Sequence, residues 1–212
     1  MPRRLAADVT SVLVAACASP IGDISSPWGD GNAPIAVRCV PPGELRALAS
    51  QVSLDLDSAA LRAVEHGAAR CFMAFDGPTP IAHDFVALGS IDPMLNSGGR
   101  GFTGIGLRLP PTAAYVFKAW VASDWRGRGL HAHVVGHVAA TVVSQGIDWL
   151  VTTADWDNAA SLASFASLGF AVRGRAAEWV FGRRHVYRLP PPIALGAAEL
   201  RLLRPEPAAS AV

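Results

Sequence analysis

A chain of 212 residues, 51% hydrophobic and 17% charged, carries enough apolar material to bury one sizeable core without disulfides. Its formal net charge of +1 excludes a global field that would draw in nucleic acid or an anionic membrane, so any anion site must be local. Cys17, Cys39 and Cys71 are odd in number and widely spaced, with no C-x-x-C. That argues against a disulfide framework or a zinc ribbon and points to a reducing, cytoplasmic setting.

The first residues, MPRRLAADVTSVLVAACAS, resemble an export signal in outline, but Asp8, Thr10 and Ser11 interrupt the apolar run. No run reaches the ~18 apolar residues needed to span a bilayer. The following SPIGDISSPWGDGNAP, Ser19 to Pro34, is rich in Gly, Pro, Ser and Asp. Residues 1–34 are therefore expected to be an N-terminal segment and flexible linker, 35–190 the domain, and 191–212 a Pro/Ala-rich tail.

Ile35 to Val40 (IAVRCV) alternates as a strand does, and Pro41-Pro42-Gly43-Glu44 opens a helix reaching about Val52. A second helix is predicted from Ser58 to Glu65. Two strands, Arg70 to Phe75 and Ile81 to Leu88, flank Asp76-Gly77-Pro78, a turn combination that makes them a hairpin. Ser90 to Pro111 contains a G-x-x-G-x-G run, but Leu107-Arg108-Leu109-Pro110-Pro111 follows in place of a helix, so this stretch reads as a flexible loop.

Tyr115 to Val121 (YVFKAWV) has the aromatic and β-branched content of a strand. Leu130, Val134, Val138 and Val142 then recur every four residues up to Gly146, which marks a helix with a glycine stop. A buried strand is predicted from Ile147 to Thr153. Asp157 or Asn158 caps the next helix, whose inner face holds Leu162 and Phe165 and which Gly169 ends. Strands over Ala171 to Val180 and Arg184 to Leu189 complete a mixed α/β order, antiparallel first and strand-helix-strand-helix after.

Between the Tyr115 strand and the Leu130 helix lies Trp125-Arg126-Gly127-Arg128-Gly129-Leu130-His131. A tight glycine turn entering a helix aims unpaired backbone N–H groups at one point, which suits a phosphate. Gly127 and Gly129 let the backbone approach, and Arg126 and Arg128 add charged donors. His133 and His137, four apart on the helix, have the spacing of a metal pair, but no Glu stands between them and no third ligand is evident, so no metal is expected.

Arg126-Gly127-Arg128-Gly129-Leu130-His131 resembles the Arg/Gln-x-x-Gly-x-Gly/Ala signature of the GNAT acetyltransferase superfamily, with His131 in place of the small final residue. A second block, Asn158, Ser161, Phe165, Gly169 and Phe170, is similar to that family's Asn-x-x-Ala/Ser, Tyr and Gly-Phe pattern. The resemblance covers roughly Ile35 to Leu189. It implies an α/β fold whose mostly antiparallel central sheet splays between its fourth and fifth strands, with helices on its flanks. It also implies acetyl-CoA as co-substrate. The cradle from Arg126 through Leu130 to His131 would hold the pyrophosphate, the Ala119 and Val121 backbone the pantetheine arm, with Asn158 and Phe165 on its other side.

Direct acyl transfer needs a neutral amine, donors for the developing oxyanion and a proton for the departing thiolate. The resemblance assigns the oxyanion donor to the Val121 N–H. Where histone-modifying relatives hold a glutamate base this chain has Tyr115, and Phe165 stands where the family's proton-donating tyrosine would be. His83, Asp84 and Asp155 are further base candidates. Tyr115, Trp120, Trp125 and Trp156 are candidates either for an acceptor pocket or for core. The acceptor is expected to be an amine of a small molecule or a protein, and a homodimer is the default assembly. The missing carboxylate and tyrosine leave a non-catalytic CoA-binding or interaction module as the alternative, alongside an enzyme that uses a longer acyl-CoA.

Overall fold

The computed structural model describes residues 8–18, 35–51, 54–56, 58–96, 105–181 and 184–204. Strands β1 (Asp8–Ala18) and β2 (Ala36–Val40) are followed by helices α1 (Pro42–Gln51) and α2 (Ser58–Glu65). The hairpin β3 (Ala69–Asp76) and β4 (Thr79–Leu88) leads into short strands β5 (Ser90–Ile91) and β6 (Gly106–Arg108). Then come β7 (Ala113–Val121), α3 (Leu130–Val143), β8 (Trp149–Asp155) and α4 (Ala159–Ser167). The chain continues through β9 (Ala171–Phe181), β10 (Arg184–Arg188), β11 (Ile193–Leu195) and β12 (Ala198–Leu203).

Eight strands form one sheet in the order β10-β9-β1-β8-β7-β4-β3-β2, and four form a second in the order β11-β12-β6-β5. Neighbours in the large sheet are antiparallel except β7 and β8, which run parallel. The sheet is sandwiched. Cys71, Met73 and Phe75 of β3 pack with Leu45 of α1 and Val64 of α2, while Phe72 and Ala74 pack with Val134 and Val138 of α3 on the other face. A strand buried on both faces loses hydrophobic alternation, which is why the middle of β3 reads as an unbroken apolar run and that of β4 as one interrupted by the buried His83 and Asp84.

The four-residue repeat of α3 is its buried stripe: Leu130, Val134, Val138 and Val142 are each at most 2% exposed. Gly146 then adopts φ +81°, and the Ile147 N–H returns to the Val142 carbonyl at 3.2 Å. Helix α4 is capped by Asn158, whose Oδ1 accepts from the Ser161 N–H at 3.1 Å, and it ends at Gly169 with φ +83°.

Three expectations change. Asp8–Ala18 does not lie outside the fold: β1 pairs with β8 from Val12↔Asp155 to Ala18↔Trp149 and with β9 from Asp8↔Val180 to Ala16↔Ala171. The sheet therefore begins well before residue 35. The predicted C-terminal tail contains β11 and β12, which bring Ile193, Leu195 and Leu200 into the core, and β12 pairs with β6. Proline at 190–192 masked the alternation of IALGAAELRLL, which turns at Gly196 with φ +64°. The predicted loop at Ser90 to Pro111 holds β5 and β6, while 97–104 lie outside the described residues.

Candidate active site

The parallel pair β7 and β8 is joined only briefly: Ala113, Ala114 and Tyr115 pair with Trp149, Leu150 and Val151. Beyond that point both strands continue, to Val121 and Asp155, without pairing with each other. The expected splay is present. It opens a cavity of about 350 Å³. One wall is β7, through Tyr115, Phe117, Lys118 and Ala119, and the other is the end of β8, residues 152–155. Asn158, Ser161 and Phe165 of α4 close one side, and Asp55 and Leu95 another.

The β7 wall is distorted where it meets the cavity. The register of β4 against β7 shifts between His83↔Trp120 and Phe85↔Phe117, so Lys118 and Ala119 stand opposite the single residue Asp84. Lys118 adopts φ +56°, a left-handed conformation that costs a non-glycine residue about 1–3 kcal/mol. Such a bulge disrupts the ladder locally, and both residues of it line the cavity. Val121 is not part of the cavity lining: it pairs with Ala82, and its carbonyl accepts from Arg126 Nε at 3.0 Å.

The glycine turn enters α3 as the sequence predicts. Gly127 and Gly129 have φ +71° and +77°, and an added Cβ at either would meet open space. Gly129 is the N-cap and supplies no side-chain cap, so the first amides of α3, at Leu130 and His131, look outward. Arg128 lies 5.5 Å over the Trp125 ring. The side chain of His131 turns inward, with Nδ1 2.7 Å from Ser164 Oγ and Nε2 3.4 Å from Asp84 Oδ1. It meets Phe165 edge-on at 5.0 Å. Burial disfavours the charged ring, but the attraction of Asp84 outweighs it and the His131 pKa is raised.

The other candidates separate cleanly. Tyr115 is buried, its hydroxyl 2.6 Å from Thr153 Oγ1 across the foot of the splay, and burial raises its pKa, so it stays a phenol. His83 is buried with Nε2 2.6 Å from the Leu54 carbonyl and is stacked on Trp120, and burial lowers its pKa. Of the base candidates Asp155 lines the cavity, and His83 and Asp84 do not. Of the four aromatic candidates Tyr115 lines the cavity, while Trp120 and Trp125 pack against the cores and Trp156 is 54% exposed. Among the described residues no group of three His, Cys, Asp or Glu comes together as a metal site.

Sequence reasoning missed Lys118, Thr153, Asp55 and Ser164. The lone signal for the polar pair beneath the cradle was Asp84 itself, a charged residue inside the apolar run IAHDFVAL.

Residues 105–180 match the family described as FR47-like protein. A GNAT-family acetyltransferase from Colwellia psychrerythraea has a similar solved structure, with a TM-score of 0.56 at 15% identity, covering 83% of this chain and 57% of that one. The chain has a GNAT-superfamily fold. A Drosophila protein superposes with a TM-score of 0.53 at 12% identity over 82% of this chain and 51% of its own. A functionally unknown conserved protein from Staphylococcus epidermidis gives 0.51 at 8% identity over 88% and 64%. The GNAT-like chain thus spans between half and two thirds of the length of these proteins. No curated protein matches it.

Proposed function

We propose that this chain is an N-acyltransferase that takes acetyl-CoA as co-substrate and passes the acyl group directly to an amine of a small molecule or a protein. The observation that carries the reading is a pair of features linked through Phe165, which lines the cavity and meets the His131 ring: an uncapped helix N-terminus behind Gly127 and Gly129, and a cavity in the splay between β7 and β8. The amides from Gly127 to His131, past the Arg126 N–H that donates to the Ser123 carbonyl at 3.3 Å, suit a diphosphate, with the Arg126 and Arg128 side chains adding charge. The open strand edges suit an extended arm such as pantetheine.

The Ala119 backbone, at the bulge in the cavity wall, is the donor assigned to the place where negative charge grows during transfer, in place of Val121, which is outside the lining. Asp155 is the group assigned to take the proton of the attacking amine, because it reaches the cavity. Phe165 has no proton to give, but a thiol pKa near ~8.5 makes CoA thiolate a leaving group that water can protonate. Tyr115 and Thr153 fix the floor by joining β7 to β8.

Calorimetric titration of the purified chain with acetyl-CoA tests the reading. Binding in the micromolar range, about −8 kcal/mol, is expected. A folded chain with no affinity for acetyl-CoA would remove it. Release of free CoA on addition of an amine panel then separates an enzyme from a CoA-binding module without activity.

A further inference from the structure

The half of β8 that lines the cavity hangs from the N-terminus of the chain. The β7 ladder reaches β8 at Trp149, Leu150 and Val151 and stops there. The next four residues, Thr152, Thr153, Ala154 and Asp155, are all cavity wall, and they pair in order with Ala15, Val14, Leu13 and Val12 of β1. A strand end with one edge opened toward a ligand keeps its extended shape through the ladder on its other edge.

The same strand secures the third wall. Helix α4, which brings Asn158, Ser161 and Phe165 to the cavity, is followed directly by β9. In the sheet β9 does not touch β8; β1 lies between them and pairs with β9 along residues 8–16. Without β1 a gap one strand wide, two inter-strand spacings across, would separate β8 from β9, and two cavity walls would lose their common support. The ladder against β9 shifts register between Val14 and Ala15, opposite the residues of β8 that leave β7.

We propose that β1, Asp8–Ala18, is a positioning element of the acyl-CoA site: it sets the spacing of the splay by holding the cavity-lining end of β8 and the return strand of α4. It touches no substrate; it acts through Thr152–Asp155 and α4. The proposal rests on the acyltransferase reading for its ligand, but its structural core does not.

Two measurements test it. The first is hydrogen exchange on the intact chain, with and without acetyl-CoA. The amides of 152–155 are expected to open together with those of 8–18, and bound acetyl-CoA is expected to slow both sets. Protection of 152–155 while 8–18 exchange freely would overturn the proposal. The second compares Val14→Pro, which removes a ladder donor, with Val14→Thr, which keeps an extended, β-branched residue. The proline variant is expected to lose acetyl-CoA affinity at least about tenfold, with the threonine variant restoring it. A folded proline variant that binds as the parent does would overturn the proposal, and if that variant does not fold, the exchange result decides. Should the parent chain bind no acetyl-CoA, the enzyme reading fails, while coupled or uncoupled exchange still judges the strand.

Discussion

His131 Nε2 lies 3.4 Å from Asp84 Oδ1, joining the second residue of α3 to the middle of β4 beneath the glycine cradle, with Asp84 1% exposed. Because the folded state raises the His131 pKa, the pair's contribution is complete below the ordinary histidine value of ~6.5 and is lost as pH rises through the raised folded value. Denaturant unfolding across pH 5.5 to 9 should show that loss. Asp84→Asn should abolish the slope and, by leaving the buried pair broken, cost roughly 3–5 kcal/mol at the acidic end. An unchanged slope in Asp84→Asn would show that another group titrates.

Gly129→Glu tests the cradle. At φ +77° a side chain is strained, yet its Cβ meets open space, so the fold should survive with a loss of about 1 kcal/mol. The added carboxylate points a negative charge at the place assigned to the diphosphate. Acetyl-CoA affinity should fall about a hundredfold or more, near 2.7 kcal/mol, by titration calorimetry. Gly129→Ala should share the strain and keep most of the affinity, which separates charge from backbone.

Asp155→Asn keeps the shape of the cavity wall and removes the proposed proton acceptor. If the assignment holds, kcat should drop by about 10²-fold or more with acetyl-CoA affinity unchanged. Tyr115→Phe should behave differently. It deletes the 2.6 Å contact with Thr153 Oγ1, costing about 1 kcal/mol of stability, and it should introduce no change in the pH profile below about 9, because the buried phenol does not ionise there.

Local signals carried most of the elements. The helix at Ser58 to Glu65 and the four-residue stripe of α3 were legible because propensity and periodicity agree with the packing that the fold imposes. The splay and the glycine turn into α3 were legible through the resemblance that the Arg126 to His131 and Asn158 to Phe170 spacings carry. What stayed hidden is non-local. Asp84 and His131 are 47 positions apart and meet because β4 and α3 share a face, which no spacing encodes. The Lys118 bulge is a register event between two strands, invisible in one of them. Strand β1 was missed since its place depends on β8 and β9, more than a hundred residues later, with a Gly/Pro/Ser-rich stretch suggesting a boundary in between.

The C-terminal strands give the last prediction. Gly174 sits in β9 where an added Cβ would come 2.7 Å from Ile193 Cδ1 and 3.1 Å from Pro190 Cγ. Ile193 is itself core, 6% exposed, so its terminal methyl has little room to retreat. Gly174→Ala should therefore destabilise by about 1–3 kcal/mol through overpacking, although glycine to alanine within a strand usually stabilises. The double variant Gly174→Ala, Ile193→Val removes the clashing methyl and should recover most of that loss in thermal unfolding. Equal destabilisation in the single and double variants would mean that Pro190, and not the β11 residue, sets the approach of the C-terminal segment to the large sheet.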